Sequence, residues 1–123
     1  MKFHLSAASG NAFTGVGEGY IRIGPTEYRE NVAVTANDVI TGWTSRGFDS
    51  LAPDDFARLA SKKPEIVILG TGKTLAFPRP SVTRALIEAG IGFEVMDTAA
   101  ACRTFNILSA EGRNVLAAII VDA

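Results

Sequence analysis

The chain has little of what most small extracellular or catalytic domains rely on. It carries one cysteine, Cys102, and one histidine, His4, among 123 residues. A single thiol excludes an intrachain disulfide and a cysteine-based metal cage, and it suits a reducing compartment. With His4, in the N-terminal segment, as the sole imidazole, no Ser-His-Asp set can be argued from the sequence. His4 also lies far in sequence from Cys102, so a cysteine–histidine pair is not expected either. No apolar run approaches the roughly 18 residues of a membrane span. The longest, Val115 to Val121, fits one buried strand. Charge of either sign is not in excess: 12 Lys and Arg face 13 Asp and Glu. A net charge of -1 gives no general electrostatic reason to seek nucleic acid or an anionic membrane. The N-terminus lacks the apolar core of a signal peptide and an Arg-rich transit segment. A cytoplasmic protein is expected, with no nucleic-acid partner and no membrane insertion.

What is present is an ordinary globular balance, 47% hydrophobic and 20% charged, over a length that suits one domain, 1–123. The first half alternates and turns. Gly15-Val16-Gly17-Glu18-Gly19 reads as a glycine-rich lead-in to a strand at Tyr20–Ile23. The turn Gly24-Pro25-Thr26-Glu27 and a second strand from Tyr28 to Val34 complete an antiparallel hairpin. A short third strand runs from Val39 to Trp43 and ends near Gly42.

The second half reads as a helix followed by β-α-β-α-β. Pro53 suits the first position of a helix, with Asp54 and Asp55 in its first turn and Lys62 and Lys63 near its end. Phe56, Leu59 and Ala60 form its apolar face. Ile66 to Leu69 is a continuous apolar strand, the pattern of a strand covered on both faces. A helix is expected from Pro80 to about Ala89, with Val82, Leu86 and Ala89 buried and Gly90 closing it. A strand at Gly92–Met96 precedes a helix capped by Asp97 or Thr98. That helix carries Cys102, Phe105 and Leu108 inward and ends near Gly112. Asn114 to Val121 is the last strand. If the strands ending at Leu69 and Met96 are parallel, right-handed crossovers place their following loops at one edge, where such sheets usually bind ligands.

The loop Gly70-Thr71-Gly72-Lys73-Thr74 ends in the Gly-Lys-Thr of a nucleotide-binding P-loop. The spacing Gly-x4-Gly-Lys-Ser/Thr fails, because Val67 stands where the first glycine belongs. Pro78 and Pro80 also delay the helix that a P-loop starts at its lysine. ATP or GTP hydrolysis is therefore not expected. The glycines let the strand turn under the helix. The N–H groups at the start of that helix, near Ser81 and beside Arg79, also offer room for a small anion or carboxylate.

The remaining polar residues have structural readings. Cys102 reads as a small packing residue. Asp54 and Asp55 read as helix-start electrostatics. Glu94, Asp97 and Glu111 are too scattered to mark a metal site. Trp43 and Phe48 read as core rather than an exposed contact surface. Asn106, a poor helix former in mid-helix, reads as a hydrogen-bonding clamp on a neighbouring loop, with the loop after Leu69 as the candidate. Glu111-Gly112-Arg113 places opposite charges beside a turn.

Residues 64–120, from Pro64-Glu65-Ile66-Val67 through Val115-Leu116-Ala117-Ala118-Ile119-Ile120, resemble the Mth-type family of small α/β domains. The matching landmarks are the Gly70-Thr71-Gly72 turn, Pro78, Gly90-Ile91, Glu94 with Met96, Thr98, Ala101, Thr104, Asn106 and Glu111-Gly112-Arg113. Gly17 to Tyr20 and Ile40 to Trp43 also fit. The family includes an adipogenesis-associated protein and a mitochondrial complex I assembly factor, and no reaction is established for it. The resemblance implies a three-layer α/β domain with a central mixed sheet of about five strands, one antiparallel, flanking helices and a β-hairpin layer. It implies a ligand or partner surface around Gly70, Thr71, Gly72, Pro78 and Arg79, joined by Asn106 and Arg113. It implies a bacterial binding or assembly protein more than an enzyme, with no cofactor, whose protein partner is a subunit of a respiratory or other membrane complex. The alternative is a protein, or weak enzyme, that takes a small anionic metabolite at the Gly70–Gly72 loop edge.

Overall fold

A computed structural model describes residues 10–45 and 47–122. His4 and Arg46 lie outside the described residues. The elements run β1 (Phe13–Gly17), β2 (Tyr20–Ile23), β3 (Thr26–Tyr28), β4 (Val32–Val34), β5 (Val39–Thr41), α1 (Pro53–Ala60), β6 (Ile66–Gly70), α2 (Pro80–Glu88), β7 (Gly92–Met96), α3 (Thr98–Ala110) and β8 (Val115–Ile119).

The β-α-β-α-β pattern of the second half produces the expected parallel strands. Ile66 to Gly70 pair in register with Gly92 to Met96 on one side and with Val115 to Ile119 on the other. The central sheet has five strands in the order β5-β4-β8-β6-β7. β4 pairs antiparallel with both β5 and β8, so it alone runs against the others.

Strand alternation divides the core in two. Val32, Val34, Ile68, Val115, Ala117 and Ile119 point to one face and pack with Ala101, Cys102 and Phe105 of α3 and with the first strands. Ala33, Val67, Leu69, Leu116 and Ala118 point to the other and meet Phe56 and Leu59 of α1 and Leu86 of α2. Three layers result: α1 and α2, the five-stranded sheet, and α3 with the small N-terminal sheet. Burial on both faces explains why β6 and β8 read as unbroken apolar runs.

The first half departs from its sequence reading in two places. The glycine-rich stretch is not a lead-in, since Phe13–Gly17 is itself a strand paired antiparallel with β2. Nor is Tyr28 to Val34 one strand. It breaks at Arg29–Asn31, so β3 closes a three-stranded meander with β1 and β2 while β4 enters the central sheet. Asn31 sits at the break and works across it. Its side chain accepts from Val121 N at 2.8 Å and donates to the Thr44 carbonyl at 3.3 Å. The hairpin turn itself is the two residues Gly24-Pro25, with Gly24 at φ +54°.

Smaller differences have local causes. In α2, Thr83 fills the buried position beside Leu86, whereas Ala89 lies just past the helix end and is exposed. Asp97, not Thr98, caps α3, accepting from Ala100 N at 2.9 Å. Trp43 is core: its Nε1 donates to the Ile119 carbonyl at 3.1 Å, and its ring meets Phe56 edge-on. At the start of α1, Asp55 is buried, accepts from Ala52 N and pairs with Arg58 at 2.9 Å, while Asp54 is exposed. Among the described residues no helix is long and apolar enough to cross a membrane.

Candidate functional site

Parallel β6 and β7 bring the loops after Gly70 and Met96 to one edge of the sheet. The end of β8 and the β1–β2 turn reach the same edge. Between them lies an open cleft of about 350 Å³. Its walls are the turn from Gly17 to Tyr20, Gly72 and Lys73, the first residues of α3 and the segment after β8.

Glycine makes one wall possible. Gly17 faces Tyr20 at the end of the β1–β2 hairpin, and a Cβ at Gly17 would lie 2.3 Å from the Tyr20 ring. The ring therefore lies over bare backbone, and the guanidiniums of Arg22 and Arg29 each stand 5.6 Å from its centre.

The floor is held by Thr98. Its buried hydroxyl accepts from Gly72 N at 2.8 Å and donates to the Ile120 carbonyl at 2.8 Å, joining the β6 loop, α3 and the end of β8. Thr98 N donates back to the Gly72 carbonyl at 2.9 Å. Gly72 adopts φ +98°, the left-handed region that favours glycine, and a Cβ there would strike the Asp122 carboxylate at 2.3 Å.

The Gly-Lys-Thr loop is thus tied internally. Thr71 N donates to the Met96 carbonyl, Gly72 N to Thr98 and Lys73 N to Asp122 Oδ2. The Thr71 hydroxyl donates to the Thr74 carbonyl at 2.7 Å and accepts from Ala76 N at 3.2 Å. The successive N–H groups that cradle phosphate in a P-loop already have partners here, and the following helix does not begin until Pro80.

The cleft is acidic. Glu18, Asp97 and Asp122 line it directly with one ammonium, that of Lys73, while the Arg22 and Arg29 guanidiniums beside the Tyr20 ring are both paired with Glu27. Lys73 Nζ meets Glu18 Oε1 at 3.1 Å across the gap, with both side chains largely exposed, so the pair is weak and screened by salt. A cationic group fits this field better than an anionic one.

The structure brings together only part of the sequence-derived surface. Gly70, Thr71 and Gly72 lie at this edge, with Pro78 and Arg79 on the loop that leads from it to α2. Asn106 is elsewhere. It lies two turns along α3 and grips Phe13 of β1, not the loop after Leu69, because α3 packs beneath the small sheet. Arg113 sits before β8 and pairs with Glu65 before β6, at the opposite end of these strands and roughly 15 Å from the loop edge. The Arg113 guanidinium, through its hydrogen bond, holds the Glu65 carboxyl below its ordinary range, and Glu65 in turn raises Arg113. Tyr20, Asp97, Thr98 and Asp122 escaped the sequence reading as site residues. Thr98 stands 26 residues from Gly72, and no local pattern signals such a contact.

Cys102 is buried in α3, and desolvation pushes its thiol well above the ordinary range. Among the described residues no group of three or more His, Cys, Asp or Glu side chains is placed to hold a metal.

Comparison with known proteins relates the chain to a wider group. The chain is 37% identical over 83 residues to NADH dehydrogenase [ubiquinone] 1 alpha subcomplex assembly factor 3 of Bos taurus, a match covering 66% of this chain and 45% of that protein. The match thus spans less than half the length of this curated relative. The crystal structure of a Bordetella parapertussis protein superposes with a TM-score of 0.85 at 32% identity, covering 95% of this chain and all of that one. The solution structure of a Bordetella pertussis protein, a Mth938-like domain, superposes at 0.74 with 28% identity, covering 100% of this chain and 94% of that one. A family model described as a protein of unknown function (DUF498/DUF598) matches residues 13–120, and the chain belongs to that family.

Proposed function

We propose that this protein is a non-enzymatic binding protein that takes part in the assembly of a protein complex. Its partner is a subunit of a respiratory or other membrane complex, engaged from the cytoplasmic side. The observation that carries this reading is the 37% identity to a complex I assembly factor. The geometry supports a place for the contact. The C-terminal edge of the parallel strands is where α/β sheets receive ligands, and here it offers an open, acid-lined cleft beside an aromatic ring. A basic segment of the partner, presenting Lys or Arg beside Glu18 and Asp122, matches that field. Gly70, Thr71 and Gly72 then shape the site, and Pro78 and Arg79 flank it. A small anionic metabolite is less well served, since the backbone donors at Thr71, Gly72 and Lys73 have partners already.

The test is crosslinking in the native cells with a tagged chain, followed by detergent extraction and mass spectrometry. Subunits of a membrane complex are expected with the wild type, depleted for Glu18→Lys and retained for Arg113→Ala. Turnover of a metabolite by the purified protein, abolished by Arg79→Ala, would overturn the reading.

A further inference from the structure

The near-neutral total conceals an uneven distribution of charge. From Gly70 to Ile87 the chain has Lys73, Arg79 and Arg84 and no carboxylate. Arg79 and Arg84 are exposed and form no ion pair among the described residues. The same segment carries three large apolar side chains in solvent: Leu75 is 54% exposed and Phe77 72% on the loop, and Ile87 is 66% exposed near the end of α2. Outside this segment, Ile107 is the one other exposed large apolar side chain among the described residues.

The loop is held from within. Thr71 binds the Thr74 carbonyl and Ala76 N through one hydroxyl, fixing the backbone on both sides of Leu75. Pro78 and Pro80 have no N–H, so this stretch presents fewer backbone donors that would lose water on entering an apolar boundary. Two protruding side chains fall far short of the roughly 800 Å² per partner that a stable protein interface buries. They do suit a reversible membrane contact, in which a few apolar groups reach the headgroup–acyl boundary and neighbouring cations lie among lipid phosphates.

We propose that the Lys73–Arg79 loop and the first turns of α2 form an anchor to an anionic bilayer surface. Leu75 and Phe77 enter the boundary, and Arg79 and Arg84 meet the phosphates. The chain lies on the membrane and does not span it. This inference does not depend on the partner reading, because vesicles contain no protein partner.

The experiment is flotation of the purified chain with vesicles of phosphatidylcholine alone or mixed with phosphatidylglycerol. The wild type is expected to float with the anionic vesicles only, and added salt weakens its binding. Leu75→Ser with Phe77→Ser, and separately Arg79→Glu with Arg84→Glu, each lower the bound fraction roughly tenfold or more. Ile107→Ser leaves it unchanged. Phe77→Trp adds a readout that needs no loss of binding: its fluorescence is quenched by brominated lipid, whereas Trp43 is buried beyond its reach. A wild type that stays with the soluble fraction would overturn the proposal. So would unaltered binding by the Leu75/Phe77 variant, or an unquenched Trp at position 77. Loss of a soluble protein partner in the loop variants, with no vesicle binding by the wild type, would assign the loop to a protein interface instead.

Discussion

The side-chain amide of Asn106 pairs with the backbone of Phe13 as a neighbouring strand would. It accepts from Phe13 N and donates to the Phe13 carbonyl, each at 2.8 Å. This one residue of α3 therefore secures the first strand of the small sheet, next to the edge-on contact of Phe13 with Phe105. Asn106→Ala leaves both backbone groups without their partner in a half-buried place. It is expected to lower stability by about 2–3 kcal/mol in urea denaturation. A loss within error would mean that the apolar contacts alone hold the small sheet.

Thr98 has the corresponding role at the cleft. Thr98→Val keeps the shape and removes the hydroxyl shared by Gly72 N and the Ile120 carbonyl. The expected cost is about 2 kcal/mol, with faster hydrogen exchange at the Gly72 amide. Thr98→Ser retains the hydroxyl and should retain most of the protection. Equal exchange in both variants would contradict this role.

Glu65 and Arg113 give an acid-side signature. The folded-state pKa of Glu65 is lowered, so its contribution is present above the unfolded value and is lost as pH falls through the folded one. The pair is exposed, so the contribution to stability is small, but the titration is readable. Arg113→Ala should move the Glu65 carboxyl midpoint upward in an NMR titration. An unmoved midpoint would mean that the pair does not persist in solution.

Cys102 gives the opposite sign at high pH. Burial raises its folded-state pKa, so above the ordinary thiol range, about 8.5, the unfolded chain ionises first and stability falls as pH rises. The native protein should resist a thiol reagent at neutral pH and react fully in denaturant. Rapid labelling of the native state would place Cys102 at an opening that its packing does not provide.

The second half of the fold was legible because each element carried its own period and punctuation. Pro53 and Pro80 start helices, Gly90 ends one, and unbroken apolar runs mark β6 and β8. The first half was harder. Phe13–Gly17 contains two glycines and a β-bulge, so its alternation is weak. The split at Arg29–Asn31 depends on where β4 finds β8, an antiparallel pairing that joins Ala33 to Ala118 across most of the chain. The loop edge could be inferred from the parallel crossovers. Its chemistry could not, because Glu18, Asp97 and Asp122 converge only after two sheets pack on α3. For the same reason Asn106 reads as a clamp on the loop after Leu69, whereas its partner is Phe13, 93 residues nearer the N-terminus.

The proposed function has a partner held at the acid-lined cleft. Its most direct test is a photoreactive phenylalanine analogue placed at Tyr20 in one cell line and at Arg113 in another. Irradiation is expected to link the chain to a membrane-complex subunit from position 20 and not from position 113, and Glu18→Lys is expected to remove the product. Equal products from both positions, or none from position 20, would contradict it.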